Sequence, residues 1–153
     1  YKQVIGQLNM YKSEKHTING LDVHMFKGDF CIPVVDMDTG EDVNVYNTRN
    51  GKFSARGVSH RAASYINRNE SKKYLIVVDF DVALKLARDK KDLNILIAYS
   101  AYNLKLIVDN IKGDFIPAIT ADDTHAHSLT NSHDYIFIDG DTFTWKLKGE
   151  DFE

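Results

Sequence analysis

The second half of the chain alternates between short apolar runs and segments with apolar residues at helical spacing. The apolar runs are rich in β-branched residues, which is typical of strands covered on both faces of a sheet. Apolar runs predict strands at 74–78, 95–99, 115–121 and 135–138, and period-two alternation predicts a fifth at 142–147. Helical spacing predicts helices from Asp79 to about Lys90 and from Ser100 to Gly113. This order of elements indicates βαβ units and an α/β fold with a parallel sheet flanked by helices.

An antiparallel β-hairpin is predicted ahead of this region. The apolar run Cys31–Met37 and the alternating segment Val43–Asn47 flank a stretch of typical turn residues. Pro33 predicts a strand start or an unpaired edge, because proline has no N–H for the ladder. Residues 53–67 are ambiguous, and before the hairpin we expect at most a strand or a docked arm at Tyr1–Tyr11.

Size and composition are those of one globular domain. The 153 residues are 43% hydrophobic and 27% charged, which excludes a disordered tail, a coiled coil and a collagen-like fibre. No apolar run approaches the roughly 18 residues of a membrane span, no secretory leader is visible, and one cysteine excludes an internal disulfide scaffold. We expect a β-rich, basic N-terminal subdomain at 1–73 and an α/β domain at 74–153, as one compact unit or as a fragment of a longer protein.

Charge is distributed unevenly along the chain. Basic residues are concentrated between Arg49 and Lys73, where Glu70 is the only acid, whereas from Asp109 onwards ten acids stand against three lysines. A basic stretch predicts contacts with a polyanion, and an acidic stretch predicts binding of hard cations such as magnesium. Both stretches are also typical of solvated faces.

Carboxylates follow two of the predicted strands. Asp79 comes after the first strand and Asp122-Asp123 after the third. Ligands bind at the carboxyl ends of parallel strands, so these residues predict a magnesium site suited to phosphoryl transfer. The same residues are also typical of turns and helix caps. His125 and His127 could join an aspartate in a transition-metal site, or they are exposed loop histidines.

Residues 97–105 and residues 119–126, in that order along the chain, resemble the Toprim domain of plasmid and phage primases. Residues 97–105 correspond to the family's strand, Gly-Asn-Leu and helix, and residues 119–126 to its strand running into Ala-Asp-Asp-Asp-His. Four further segments follow the family's order, namely the hairpin at 30–45, the Gly-x-Lys-x-Phe segment at 51–57, a strand and helix at 75–86, and the terminal residues 148–153. The resemblance covers roughly residues 16–153.

The resemblance implies a Toprim-like domain of a phage or plasmid replication primase, which performs magnesium-dependent nucleotidyl transfer on a DNA template. It implies that Mg²⁺, or Mn²⁺ in its place, is held by the catalytic carboxylates of Asp122, Asp123 and Asp79. The residues expected to contact nucleic acid are Lys52, Arg56, Arg61 and Lys105. The implied partners are DNA, nucleotides, and a helicase domain or another replication protein, in the cytoplasm of a bacterial host and without a membrane.

Two positions depart from the family. Val78 stands where the family has a glutamate, and Thr124 stands where it has the second aspartate of Asp-x-Asp. Asp79 and Asp123 could substitute, although a shift of one residue along an extended strand turns a side chain to the opposite face. One alternative is therefore a catalytically degenerate Toprim-like module that binds nucleic acid or a protein partner. Another is a small α/β enzyme of flavodoxin-like layering with a phosphate or nucleotide ligand at the same acidic residues.

Overall fold

The computed structural model describes residues 14–18, 21–26, 29–54, 60–66, 68, 70–89 and 93–152. Eleven strands lie in these ranges: β1 (Glu14–Ile18), β2 (Leu21–Phe26), β3 (Asp29–Asp36), β4 (Asp42–Asn47), β5 (Lys52–Phe53), β6 (Ala62–Ile66), β7 (Lys73–Val77), β8 (Asn94–Ile97), β9 (Asp114–Ile119), β10 (Tyr135–Asp139) and β11 (Thr142–Lys146). The helices in these ranges are α1 (Phe80–Asp89), α2 (Ala101–Asn110) and a 3₁₀ helix (Thr124–Asn131).

The centre of the sheet is parallel. Its strands run in the order β8-β7-β9-β10, with β6 antiparallel to β8 at one side and β11 antiparallel to β10 at the other. The α/β class is thus confirmed, and the sheet is mixed. The parallel strand that comes second in the chain lies at one side, followed across the sheet by the first, the third and the fourth. The strand order of flavodoxin-like sheets begins in the same way. From β7 the chain passes to β8 on one side of β7, and then returns to the other side of β7 as β9.

Helices cover both faces of this sheet because side chains alternate along each strand. On one face, Ala83 and Leu86 of α1 pack on Leu75 and Val77 of β7. On the other face, α2 and the 3₁₀ helix pack on a second cluster that includes Ile76. The result is a three-layer arrangement whose central strands are buried, as their continuous apolar runs predict.

The predicted hairpin is confirmed as β3 and β4, which pair from Cys31↔Asn47 to Val35↔Asp42. On its other edge β3 pairs first with β2 and then, at Val35 and Asp36, with β6. Pro33 lies between these two pairings, and its carbonyl accepts a hydrogen bond from the Ser64 hydroxyl at 2.9 Å. Strand β6 therefore connects the N-terminal strands to the parallel sheet.

Three features differ from the sequence expectation. Strands β1 and β2 form an antiparallel pair where no clear element was predicted, and the ambiguous 53–67 region contains β6. The segment after β9 is a 3₁₀ helix rather than a loop. The possible arm at Tyr1–Tyr11 lies outside the described residues. No helix in the described ranges is both long enough and apolar enough to span a bilayer.

Candidate functional site

The candidate site lies where β7, β8 and β9 end at the same edge of the sheet. Backbone pairing continues past the ends of β7 and β8, the last hydrogen bond running from the Tyr99 N–H to the Val78 carbonyl at 3.0 Å. Asp79 comes next and begins α1, since its carbonyl accepts the Ala83 N–H at 3.0 Å. The order of the strands reverses between β7 and β9, and such a crevice is where ligands bind in open α/β sheets.

The turn after β9 is organised around Thr120. One carboxylate oxygen of Asp123, Oδ2, accepts the Thr120 N–H at 2.8 Å, and the Asp123 N–H donates to the Thr120 carbonyl at 3.2 Å. The Asp122 N–H donates to the Thr120 hydroxyl at 3.2 Å, and the Asp122 side chain is exposed. Asp123 is therefore held against the strand end by one of its two carboxylate oxygens.

The carboxylates of Asp79 and Asp123 interact electrostatically across the β7–β9 crevice. Partial burial raises the pKa of Asp79, and the negative charges of Asp123 and then Asp81 raise it further. Asp122 is not among the groups that perturb the Asp79 pKa. Of the other two predicted ligands, Asp123 is therefore the one whose charge affects the pKa of Asp79.

We expect Asp79→Asn to raise the free energy of unfolding at neutral pH, because the substitution removes a carboxylate that burial and like charges disfavour. A raised aspartate pKa means that stability is lost as pH rises through the interval between the unfolded and folded pKa values. The free energy of unfolding gained by Asp79→Asn should be complete at pH 7 and should shrink below about pH 4. Urea unfolding at both pH values measures it.

The control for this experiment is Asp139→Asn, a neutralisation of an exposed aspartate at the end of β10. Asparagine is as good an N-cap as aspartate, so the start of α1 is retained in Asp79→Asn. If Asp79→Asn is no more stable than the wild type at pH 7, the result contradicts repulsion between the carboxylates.

The described residues contain no group of three or more His, Cys, Asp or Glu side chains placed to hold a metal ion. The two positions that depart from the Toprim pattern take structural roles instead. Val78 packs partly buried on the α2 side of the sheet, and Thr124 begins the 3₁₀ helix with its N–H on the Asp122 carbonyl at 2.9 Å.

The two histidines after this turn lie in different environments. The ring of His125 is exposed and contacts Tyr102, with 5.8 Å between the ring centroids. The ring of His127 packs on Phe152 at 4.9 Å, and its Nε2 is 3.3 Å from the Thr120 carbonyl oxygen. They therefore do not form a transition-metal site with the aspartates in the described part of the chain.

Arg61, one of the expected nucleic-acid contacts, lies just before β6. Its guanidinium pairs with Asp38 in the β3–β4 turn at 2.6 Å, and its backbone is left-handed, with φ of 59°. Arg56 lies outside the described residues. The Arg61–Asp38 pair is solvent-accessible, and such pairs contribute little stability, so a phosphate could compete for the guanidinium.

Lys105 and Lys52 also lie at the surface. Lys105 pairs with Asp109 one turn further along α2, at 2.5 Å. Lys52 is exposed on the short strand β5, next to Phe53, whose ring contacts that of Tyr99 at 5.0 Å. Phe53, the neighbour of Lys52 in β5, therefore packs on the residue that follows β8 by two positions.

An exposed aromatic surface lies at the start of α2, near the turn that carries Asp123, and no sequence pattern predicted it. Tyr102, in the first turn of α2, is 49% exposed. His60 and His125 each contact its ring, with centroid separations of 5.8 Å and nearly perpendicular planes. We call these three residues the Tyr102 surface. They come from separate segments, so no local pattern could have grouped them.

Asn103 also has a structural role that the sequence pattern did not predict. It is 2% exposed, and its amide group accepts the Arg61 N–H at 2.6 Å and donates to the Ala62 and Ala98 carbonyls at 2.9 Å each. Its own N–H donates to the Ser100 hydroxyl, which caps α2. Asn103 therefore fixes the start of α2 against the ends of β6 and β8. A polar residue on the buried side of an amphipathic helix was the available signal.

Comparison of the chain with family models, with curated proteins and with solved structures finds no match.

Proposed function

We propose that this chain is a Toprim-like domain that binds Mg²⁺ and nucleic-acid phosphates at the β7–β9 crevice and performs nucleotidyl transfer on a DNA template. The observation that carries the proposal is the pair of carboxylates, Asp79 and Asp123, at the carboxyl ends of adjacent parallel strands. A divalent cation would relieve their repulsion. Magnesium in phosphoryl-transfer sites is commonly held by one or two carboxylates together with substrate phosphates and water.

The residues of the crevice fit such a cation. Asp79 is partly accessible at the start of α1, and Asp123 is oriented by the hydrogen bond from the Thr120 N–H. Exposed Asp122 is close enough in sequence to bind through water. When bound, magnesium supplies charge neutralisation for a transferring phosphoryl group. The chain's own contribution is to hold the carboxylates and to orient the phosphates.

A nucleic-acid strand could continue from the crevice over the start of α2. The first backbone N–H groups of this helix, after the Ser100 cap, face the same edge of the sheet and favour phosphate. Lys105 lies one turn further along the helix, and the Tyr102 surface provides exposed rings on which unpaired bases can stack. Cations and aromatic side chains thus lie next to the carboxylate pair.

Magnesium and manganese are expected to raise the melting temperature of the wild-type chain, because a ligand that binds the folded state stabilises it. Asp79→Asn and Asp123→Asn should each abolish the rise, whereas Asp139→Asn should retain it. Asp122→Asn should retain most of it, because Asp122 does not perturb Asp79. Differential scanning fluorimetry at about 10 mM cation measures the shifts. No shift in the wild type would contradict the cation site.

The reaction is tested by DNA-templated nucleotide incorporation with either cation. Asp79→Asn and Asp123→Asn should lower the rate by roughly 100-fold or more, which is the scale expected when charge stabilisation at a phosphoryl group is lost. Incorporation that is equal in the wild type and in both variants would contradict the assignment of the carboxylates.

A degenerate binding module is the second candidate. It is favoured by the structural roles of Val78 and Thr124 and by the two-carboxylate arrangement among the described residues. It predicts salt-sensitive DNA binding in EDTA that persists in Asp79→Asn and weakens in a Lys52→Gln, Lys105→Gln double variant. DNA binding without incorporation would select this candidate. The absence of both would contradict the first candidate and the nucleic-acid form of the second, and would leave a module that binds a protein partner.

A further inference from the structure

A cleft lies at the opposite edge of the parallel sheet, where β7 and β9 begin. It has a volume of about 670 Å³ and is lined by Lys72, Lys112, Gly113 and Asp114. A second cavity of about 330 Å³, between the end of α2 and the β3–β4 turn, is also lined by Lys112. The larger cleft has the size of pockets that hold small organic ligands. It shares no residue with the carboxylate crevice.

Backbone hydrogen bonds hold the lining of this cleft in place. The Asp114 N–H donates to the Lys72 carbonyl at 3.0 Å, which joins the starts of the two strands. The buried Asn94 amide donates to the carbonyls on either side of Lys72, to Ser71 at 2.6 Å and Lys73 at 3.2 Å. Lys112 lies in the short connection between α2 and β9. Lys72 therefore extends from backbone that hydrogen bonds hold in place.

The backbone at Gly113 forms a wall of the cleft and accepts no side chain. A Cβ atom there would lie 2.9 Å from Cε2 of the Tyr74 ring and 3.2 Å from Cε2 of the Phe115 ring. These two rings are stacked, with 5.1 Å between their centroids. The rings consequently pack directly against glycine backbone, and the wall has little freedom to close into the cleft.

The charges in the cleft are of both signs. Lys72 and Lys112 make no ion pair with any residue in the described ranges, so both ammonium groups are available to an anion. Asp114, which also lines the cleft, carries a carboxylate, and a carboxylate accepts hydroxyl donors. The complementary ligand combines an anionic group with hydroxyl groups.

We propose that this cleft binds a sugar phosphate, free or as the sugar-phosphate part of a nucleotide. The phosphate binds Lys72 and Lys112 through charge-assisted hydrogen bonds, and a sugar hydroxyl donates to the Asp114 carboxylate. The proposal is independent of the function proposed above, because its residues lie at the other edge of the sheet and need no metal ion.

Isothermal titration calorimetry of the full chain in EDTA tests the site with ADP, ribose 5-phosphate, pyrophosphate and adenosine as ligands. We expect ADP and ribose 5-phosphate to bind and adenosine not to bind. Ribose 5-phosphate binding as tightly as ADP identifies a free sugar phosphate as the source, and tighter ADP binding identifies a nucleotide. Failure of both to bind at about 10 mM would overturn the proposal.

Matched variants locate the site. Lys72→Gln with Lys112→Gln should weaken ADP binding by roughly tenfold or more, because two charged hydrogen bonds are lost. Lys146→Gln with Lys148→Gln removes the same charge at the end of β11 and two residues beyond it, and should leave ADP binding unchanged. Equal weakening in the two double variants would show a net-charge effect and overturn the site. Urea unfolding confirms that each variant is folded.

Asp114→Asn should affect the binding of pyrophosphate and of ribose 5-phosphate to different extents. Pyrophosphate should bind more tightly, because a negative charge leaves the cleft, and the preference for ribose 5-phosphate over pyrophosphate should fall. Unchanged preference would overturn the role of Asp114. Binding in EDTA should persist in Asp79→Asn, so failure of the carboxylate crevice and failure of this cleft are distinguishable.

Discussion

Asn103→Ala is expected to lower the free energy of unfolding by about 3–5 kcal/mol. The substitution leaves the Arg61 N–H and the Ala62 and Ala98 carbonyls without their partner in a buried environment. Each unsatisfied buried backbone group costs about 1–3 kcal/mol, and a whole domain has only about 5–15 kcal/mol of stability. Urea unfolding at constant m-value measures the loss.

Asn110→Ala is the matched control, the same substitution on the same helix. The Asn110 side chain is exposed and donates only to the Leu106 carbonyl one turn back, so we expect a change of less than about 0.5 kcal/mol. A loss below about 1 kcal/mol in Asn103→Ala would contradict the role given to this residue.

Asn103→Asp separates hydrogen bonding from size. The carboxylate can still accept the Arg61 N–H, but it places an oxygen against the Ala62 and Ala98 carbonyls where the amide donated. Burial and these carbonyls should raise the pKa of the introduced aspartate. The folded variant then binds the extra proton, so its stability should fall as pH rises from about 5 to 8.

Tyr99→Ala is expected to lower the free energy of unfolding by about 3 kcal/mol, the lower end of the range for removal of a core aromatic ring, because the Tyr99 ring is partly buried. The Tyr99 ring contacts the rings of Tyr46 and Phe53, at 4.6 and 5.0 Å between centroids. Because the Ser64 hydroxyl donates to Pro33, the Tyr99 hydroxyl donates to Ser64 Oγ, at 2.5 Å. Burial raises the pKa of Tyr99, so the phenol stays neutral.

Two milder variants test which part of Tyr99 matters. Tyr99→Phe keeps the ring and loses one hydrogen bond, for an expected loss of about 1 kcal/mol. Tyr102→Ala, three residues along, removes a ring that is 49% exposed and should cost less than about 1 kcal/mol. A loss in Tyr99→Ala no larger than in Tyr102→Ala would contradict the stabilising contact between the hairpin and the parallel sheet.

The backbone at Tyr99 makes a further comparison informative. Its φ is 69°, in the left-handed region that residues with a Cβ rarely adopt. Glycine usually destabilises a structured position by about 0.5–1 kcal/mol relative to alanine. Here the order should reverse, and Tyr99→Gly should be about 1 kcal/mol more stable than Tyr99→Ala. Urea unfolding of the pair checks the sign.

Local periodicity accounts for the elements that were predicted correctly. The apolar run from Tyr74 to Val78 and the helical spacing from Val82 to Leu86 depend only on which face of each element is buried. The structure accordingly contains β7 and α1 there, with bounds shifted by a residue or so. Strand β6 was ambiguous because its pairing with β8 joins residues about 30 positions apart, which no local pattern reports.

The sequence indicates which strand ends carry carboxylates, but not how the turn after β9 orients them. The strand ends placed Asp79 and Asp123 at one edge, where the negative charge of Asp123 raises the pKa of Asp79. Asp122 is adjacent in sequence yet faces solvent, since the turn around Thr120 directs neighbouring side chains differently. The outcome depends on hydrogen bonds within the folded turn.

The chain's own pattern of apolar, β-branched and turn residues thus determined the α/β class, the central strands, both α helices and the hairpin, since each follows from burial along a single element. Tertiary structure decided which distant segments meet. It placed β6 beside β8, Asn103 in hydrogen-bond contact with three segments, and Lys72 beside Asp114 at the far edge of the sheet. These contacts join residues distant in sequence, and their energies exist only once the segments are packed together.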